Sequence, residues 1–256
     1  MPTALVTGAS TGLGEGFARA LAAKSHDLIL TARRADRLEA LAAELRDSHC
    51  VRVETVALDL GAHGGPEALM AERGLAIDLL VNNAGFGARG DFAGMDVGTV
   101  TGMIDLNCRA LVALCHAALP GMIARGGGAI LNVASTAAFQ PGPWMAVYYA
   151  SKALVLSFSE ALHEEVRGRG VRVTALCPGP TRTEFAERAG MHDTALFEQF
   201  VGDADAVVRD GLAAVEAGQA VRVSGAMNRM MAETTRFAPR GLVRWMAGAL
   251  QKTRES

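Results

Sequence analysis

An α/β fold, with a doubly wound and mostly parallel sheet of about seven strands and helices on both faces, is predicted by three features of this sequence. Short apolar runs alternate with Ala-rich amphipathic stretches along most of its 256 residues. Most of the runs are of the buried type, as strands covered on both faces are. Glycines crowd the turn that joins the first run to the first amphipathic stretch.

The strands are read in order as "TALVT", "DLILTA", "VRVETVAL", "IDLLVNN", "GAILNVAS" and "VRVTALCP", with "QAVRVSG" as a seventh. Between them lie the helical stretches "GLGEGFARALAAKS", "ADRLEALAAELRDS" and "PEALMAERG", then long runs from Asp96 to Arg125 and from Trp144 to Arg169. Right-handed crossovers between parallel strands lead to a doubly wound, Rossmann-type sheet. No repeat or linker interrupts the pattern, so residues 1–256 form one domain. Residues 179–202 read as an irregular lid with short helices, and residues 225–256 as a distinct C-terminal tail.

Half of the residues are apolar and the net charge is −2. That length can bury a substantial core, and so even a balance gives no argument for nucleic acid as a partner. Cys50, Cys108, Cys115 and Cys177 form no C-x-x-C pair, which points to a reduced, cytoplasmic chain. The first strand is read almost at Met1, so no signal peptide is expected. "ALVALCHAALPGMIA" is broken by His116, Pro120 and Gly121, so no apolar run is expected to span a bilayer. The six histidines show no metal-ligand spacing, and no metal is expected.

"TGASTGLG" supplies Gly8, Ser10, Thr11, Gly12, Leu13 and Gly14 between a strand and a helix. Backbone N–H groups and the positive helix end can face a pyrophosphate there, provided no side chain blocks its approach. The spacing is G-x-x-x-G-x-G, not the G-x-G-x-x-G fingerprint, and a tight turn that binds nothing is the alternative. The second strand ends in Ala32, Arg33 and Arg34, where an NAD site commonly has an acidic residue. A guanidinium at that point pairs with a ribose 2′-phosphate and stacks on adenine, so the cofactor is read as NADP(H). Asp59, followed by Leu60, ends the third strand, where it could accept from an adenine amino group. "NNAG" places Asn83, Ala84 and Gly85 at the end of the fourth, facing the same crevice.

The chain has two tyrosines, Tyr148 and Tyr149, in "VYYASK" just ahead of Lys152. Residues three and four apart share a helix face, so spacing alone leaves either phenol able to meet the lysine. "TGASTGLG", "NNAG", Asn107, Ser135 and "YYASK", in this order and spacing over roughly residues 3–185, resemble the short-chain dehydrogenase/reductase family. The resemblance selects Tyr148 as the catalytic acid, Lys152 as its lysine, Ser135 as the serine that orients the substrate oxygen, and Asn107 as holder of a water in a proton relay. It also implies that "CPGPTRTEF" contacts the nicotinamide carboxamide through Pro178, Gly179, Thr181 and Thr183, although Thr181 stands where an aliphatic residue is more usual.

A phenol titrating near pH 10 needs a shift of about 3–4 kcal/mol to act near neutrality. An ammonium about 4 Å away at an effective dielectric of about 20 supplies a comparable amount, so Lys152 is expected to lower the Tyr148 pKa.

The activity implied is reversible reduction of ketones and aldehydes to alcohols by NADPH. Phe86, Phe139, Trp144, Met145, Tyr149, Phe185 and Met191 are the pocket candidates, and their apolar character suits a medium or bulky hydrophobic carbonyl. A β-ketoacyl thioester reductase and a non-catalytic NADP(H)-binding regulator are the competing readings. Family analogy suggests a homodimer or homotetramer through the long helices. The tail carries basic residues and an apolar stripe of Leu242, Trp245, Met246, Ala249 and Leu250. Packing of that stripe on its own subunit or a partner is favoured over lying on a membrane surface.

Overall fold

The computed structural model describes residues 1–73, 77–181, 184, 189 and 202–251. Seven strands form one sheet in the order β3-β2-β1-β4-β5-β6-β7, and every neighbouring pair is parallel. They are β1 (Thr3–Thr7), β2 (Asp27–Ala32), β3 (Val53–Ala57), β4 (Leu79–Asn82), β5 (Gly128–Val133), β6 (Val171–Cys177) and β7 (Val221–Val223). The strand order reverses between β1 and β4, so their carboxyl ends open a crevice where the two connecting chains diverge.

One face of the sheet is covered by α1 (Gly12–Ala23), α2 (Ala35–His49) and α7 (Ala204–Glu216). Phe17, Leu21, Leu41, Leu45 and Leu212 interlock there with the strand side chains. The other face is covered by α3 (Gly65–Arg73), α5 (Leu111–Ala124) and α6 (Ala146–Val166) through Leu69, Leu114, Val155 and Leu162. Helix α7 has no counterpart among the elements read from sequence, although Asp203 caps it through the N–H groups of Asp205 and Ala206.

Asn82 is buried and belongs to the core rather than the crevice. Its Nδ2 donates to Asn132 Oδ1 at 2.9 Å, and Asn132 Nδ2 donates to Ser159 Oγ at 2.9 Å, tying β4 and β5 to α6.

Helix α4 (Val97–Ile104) runs on through a π-helical turn, Asp105–Ala110, into α5. The sequence reading broke this run at His116, Pro120 and Gly121, but the helix passes through all three. Residues Val97–Ala124 are long and apolar enough to cross a membrane by length and composition, and half of the most apolar window is buried inside the protein. Leu111, Leu114, Cys115, Ala118 and Met122 of this run pack into the core.

The tail forms α8 (Ala226–Thr234) and α9 (Arg240–Leu250). It packs on its own chain, but not by the expected stripe. Val243, Ala247 and Gln251 are the buried residues, whereas Leu242, Trp245 and Met246 are exposed. The i, i+4, i+8 row that is covered includes a glutamine, so apolarity alone picked the wrong face.

Phe17 is fully buried between the sheet and α7. Phe17→Ala is expected to cost about 3–5 kcal/mol in urea unfolding, since a cavity would remain under two helices.

Candidate active site

A cleft of about 480 Å³ opens at the carboxyl ends of the strands, centred on the switch between β1 and β4. Its size falls within the range of small-molecule sites. Gly8, Ser10, Thr11, Gly12 and Leu13 form one rim. Gly8 has φ +66°, and a Cβ on it would meet Ala84 Cα at 2.9 Å. A Cβ on Gly14 would collide with the Gly8 carbonyl, so Gly14 keeps the turn tight from beneath, without lining the cleft itself.

The turn is braced from β4. Thr7 Oγ1 accepts from the N–H groups of Asn83 at 3.0 Å and Ala84 at 2.9 Å, and Asn83 Nδ2 donates back to the Thr7 carbonyl at 3.0 Å. Asn83 and Ala84 line the cleft as expected, but the Asn83 amide is spent on the glycine turn. Thr7, which the sequence reading passed over, is the hub. Thr11 precedes α1 without a side-chain cap bond, so the first N–H groups of the helix stay available for an anion.

Arg33, Arg34 and Asp59 line the far end. Arg34 is the better held: its Nη2 donates to Ser10 Oγ at 3.2 Å and its Nη1 to Glu184 Oε2 at 3.0 Å. Arg37, absent from the sequence reading, shares Glu184. Arg33 is mostly exposed and reaches Asp59 only at 4.0 Å. The other Asp59 oxygen accepts from Gly61 N–H at 2.9 Å. A guanidinium pair beside the glycine turn is the donor set a phosphate on the adenosine ribose requires, and the cradle therefore fits a dinucleotide that carries one.

The chemical end is built from β5, β6 and α6. Ser135 has extended backbone and caps a short 3₁₀ turn (Thr136–Phe139), its Oγ accepting from Ala137 N–H at 3.1 Å. The same hydroxyl is hydrogen-bonded to the Tyr148 phenol. Capping and orienting are thus one role. Lys152 is buried, its Nζ donating to the Val133 carbonyl at 2.7 Å and lying 5.9 Å from the centre of the Tyr148 ring. Burial pulls the ammonium down from 10.5 to about 8.

Tyr148 departs from expectation. Burial pushes its phenol above the ordinary value, outweighing the Ser135 hydrogen bond that lowers it, and the neighbouring Tyr149 raises it further. The expected lowering by Lys152 is not found, because the ammonium bonds a backbone carbonyl instead of closing on the phenol. The shift keeps the Tyr148 phenol protonated at neutral pH.

Asn107 sits in the π turn, fully buried. It accepts from Phe86 N–H at 3.0 Å and donates to the Phe86 carbonyl at 2.9 Å and to Ser151 Oγ at 3.1 Å. Its side chain fixes the loop after β4 through Phe86.

Gly85, Leu60, Phe139, Tyr149, Pro178, Gly179 and Thr181 line the cleft as expected. Trp144 and Met145 instead border a separate, smaller hollow with Met95 and Met103, and Phe86 packs in that same cluster rather than on the cleft. Thr183, Phe185 and Met191 lie outside the described residues. Thr181 and Gly202 pair in a parallel bridge that closes the base of the segment read as a lid.

Four residues of the α8 region that the sequence reading missed face the cleft: Asn228, Met231, Ala232 and Thr235. Their i, i+3, i+4, i+7 spacing was a legible signal of a helix presenting one side.

A family model described as short chain dehydrogenase matches residues 2–193. The chain belongs to the short-chain dehydrogenase family. It is an oxidoreductase acting on hydroxyl and carbonyl groups. Sulfoacetaldehyde reductase 2 of Chromohalobacter salexigens is 42% identical over 186 residues, 71% of this chain and 73% of that one. The very-long-chain 3-oxoacyl-CoA reductase of Bos taurus is 33% identical over 189 residues, 72% of this chain and 61% of that one. Among solved structures, a short-chain dehydrogenase from Sphingobium yanoikuyae in complex with NADPH superposes with a TM-score of 0.85 at 35% identity, covering 94% of this chain and 95% of that one.

Charge-assisted hydrogen bonds of the kind Arg34 can make are worth about 1.5–3 kcal/mol each. The double substitution of Arg33 and Arg34 to Ala is therefore expected to weaken NADPH binding by roughly two orders of magnitude while changing NADH binding little. Fluorescence titration of both cofactors reads the ratio; equal losses for the two would show that the arginines do not read the 2′-phosphate.

Proposed function

We propose that this short-chain dehydrogenase reduces ketones and aldehydes to alcohols with NADPH, and oxidises secondary alcohols in reverse. The cofactor is NADP(H), which supplies the hydride when bound in the cleft. The observation that carries the reading is the convergence of Ser135, Tyr148 and Lys152 on one wall of the cleft whose other end holds the glycine turn and the two arginines.

Ser135 and Tyr148, already hydrogen-bonded to each other, present two hydroxyls that can hold a carbonyl oxygen where negative charge develops. Tyr148, kept protonated by burial, gives its proton to that oxygen. Lys152 holds a positive charge behind it and, as in the family, serves the nicotinamide ribose. Asn107 is a positioning residue through Phe86 and Ser151.

The two named relatives pull in different directions, one toward a small sulfonated aldehyde and the other toward a long acyl thioester. Phe139, Tyr149, Met231 and Ala232 in the lining of the cleft support a medium or bulky hydrophobic carbonyl as substrate. A β-ketoacyl thioester is the second reading, supported by the likeness to the 3-oxoacyl-CoA reductase. We also infer a homo-oligomer in the cytoplasm. Val97, Ile104 and Leu154, on the long helices, expose apolar side chains suited to a partner subunit.

A screen of ketones, oxo acids and a β-ketoacyl thioester with NADPH tests the reading. Tyr148→Phe is expected to lower kcat by about 10³-fold, while Tyr149→Phe alters KM or selectivity. Turnover confined to small anionic oxo compounds would refute the hydrophobic pocket.

The pH profile is a further check. The phenol stays protonated across the neutral range, so kcat/KM for reduction should be level from about pH 6. It should fall above about 8 as Lys152 gives up its proton. A reduction rate that climbs with pH would contradict Tyr148 as the donor.

A further inference from the structure

We propose that Gln251, the residue that follows α9, is a positioning residue for the substrate pocket and sets its wall by holding Tyr149. Gln251 is among the most deeply buried polar residues of the chain. Its Nε2 donates to Tyr149 Oη at 2.7 Å, and its backbone carbonyl accepts from Arg89 Nη2 at 2.7 Å. One residue is thus clamped from two directions, by a phenol on α6 and by a guanidinium from the loop after β4.

A glutamine in such a place asks for a reason. Burying an amide is unfavourable unless its hydrogen bonds are made, yet Gln251 Oε1 and Arg89 Nε are both buried without a partner among the described residues. A leucine would fill the same space with no polar atom to satisfy. What the glutamine supplies and a leucine cannot is the bond to Tyr149.

Tyr149 lines the cleft beside Tyr148, their rings edge to face with centres 6.0 Å apart. Gly142 backs the Tyr149 ring so closely that a Cβ there would overlap it. Helix α9 in turn presses on the same loop, since a Cβ on Gly248 would stand 3.4 Å from Pro143. The ring is therefore held at its edge by Tyr148, behind by Gly142 and at its hydroxyl by Gln251. Only the last comes from outside the segment that matches the family, residues 2–193. The end of the tail places a wall of the site, and the wall stands next to the proton donor.

The kinetic readout rests on the carbonyl-reductase reading. Gln251→Leu is expected to raise KM for a bulky ketone about tenfold, with kcat and NADPH affinity within about twofold, a change within the coupling range of contacting residues. Tyr149→Phe should raise KM similarly, and the double variant should add nothing further, because both substitutions remove one bond. Gln251→Glu should keep most of the wild-type KM, because its carboxylate can accept a hydrogen bond from the Tyr149 hydroxyl in place of the amide bond. A wild-type KM in Gln251→Leu, or effects of the two substitutions that add, overturns the proposal. If the wild type turns over no ketone, the reading of the reaction has failed instead. The coupling is then read from thermal unfolding of the NADPH complex across the same four proteins, where non-additive shifts support it and additive shifts overturn it.

Discussion

The site depends on an ammonium kept out of water. Lys152 reaches from α6 to the last carbonyl of β5, and that 2.7 Å bond fixes helix and strand end in one geometry. The depression of its pKa from 10.5 to about 8 corresponds to about 3 kcal/mol of unfavourable burial of the charged form at neutral pH. The cost is greatest below pH 8 and is relieved as the pH rises toward 10.5, where the folded lysine has already lost its proton and the unfolded one has not. Few chains would keep a buried cation for stability, and its persistence beside a phenol fits a chemical purpose.

Around that cation the local structure does double service. Ser135, two residues past β5, starts a 3₁₀ turn and bonds the Tyr148 phenol with a single hydroxyl. The two adjacent tyrosines are separated by one step of a helix, about 100°. One step turns Tyr148 toward Ser135 and Tyr149 toward the C-terminal tail. A pair indistinguishable by composition thus takes different partners.

The seven strands and the glycine turn were legible because their signals are local: buried runs, turn residues and the alternation of elements. Tyr148, Lys152 and Ser135 were legible through a pattern of spacing. What escaped depends on tertiary neighbours. Thr7 is an unremarkable strand residue until the loop after β4 folds against it. The sign of the Tyr148 shift is set first by the burial of the phenol, which no spacing reports. The buried row of α9 runs through Gln251 and not Trp245, because the groove beneath it offers a phenol and a guanidinium to bond. Position directly after the second strand favours Arg33 as the phosphate contact, yet Arg34 is the better held, through Ser10 and through Glu184, 150 residues away.

The π turn at Asp105–Ala110 has a consequence for how such chains are compared. A wide turn accommodates one residue more than a regular helix would over the same rise. It lets Asn107 point at the Phe86 backbone while the helices on either side keep their own apolar rows on the core. Removing a single residue there would convert the wide turn into a regular one and leave the side chains of α5 on their own faces, whereas the same deletion in an uninterrupted helix would swing them by about 100° around the axis. Homologues with a straight helix at this point would need a one-residue gap in the middle of a helix, where alignments ordinarily forbid one.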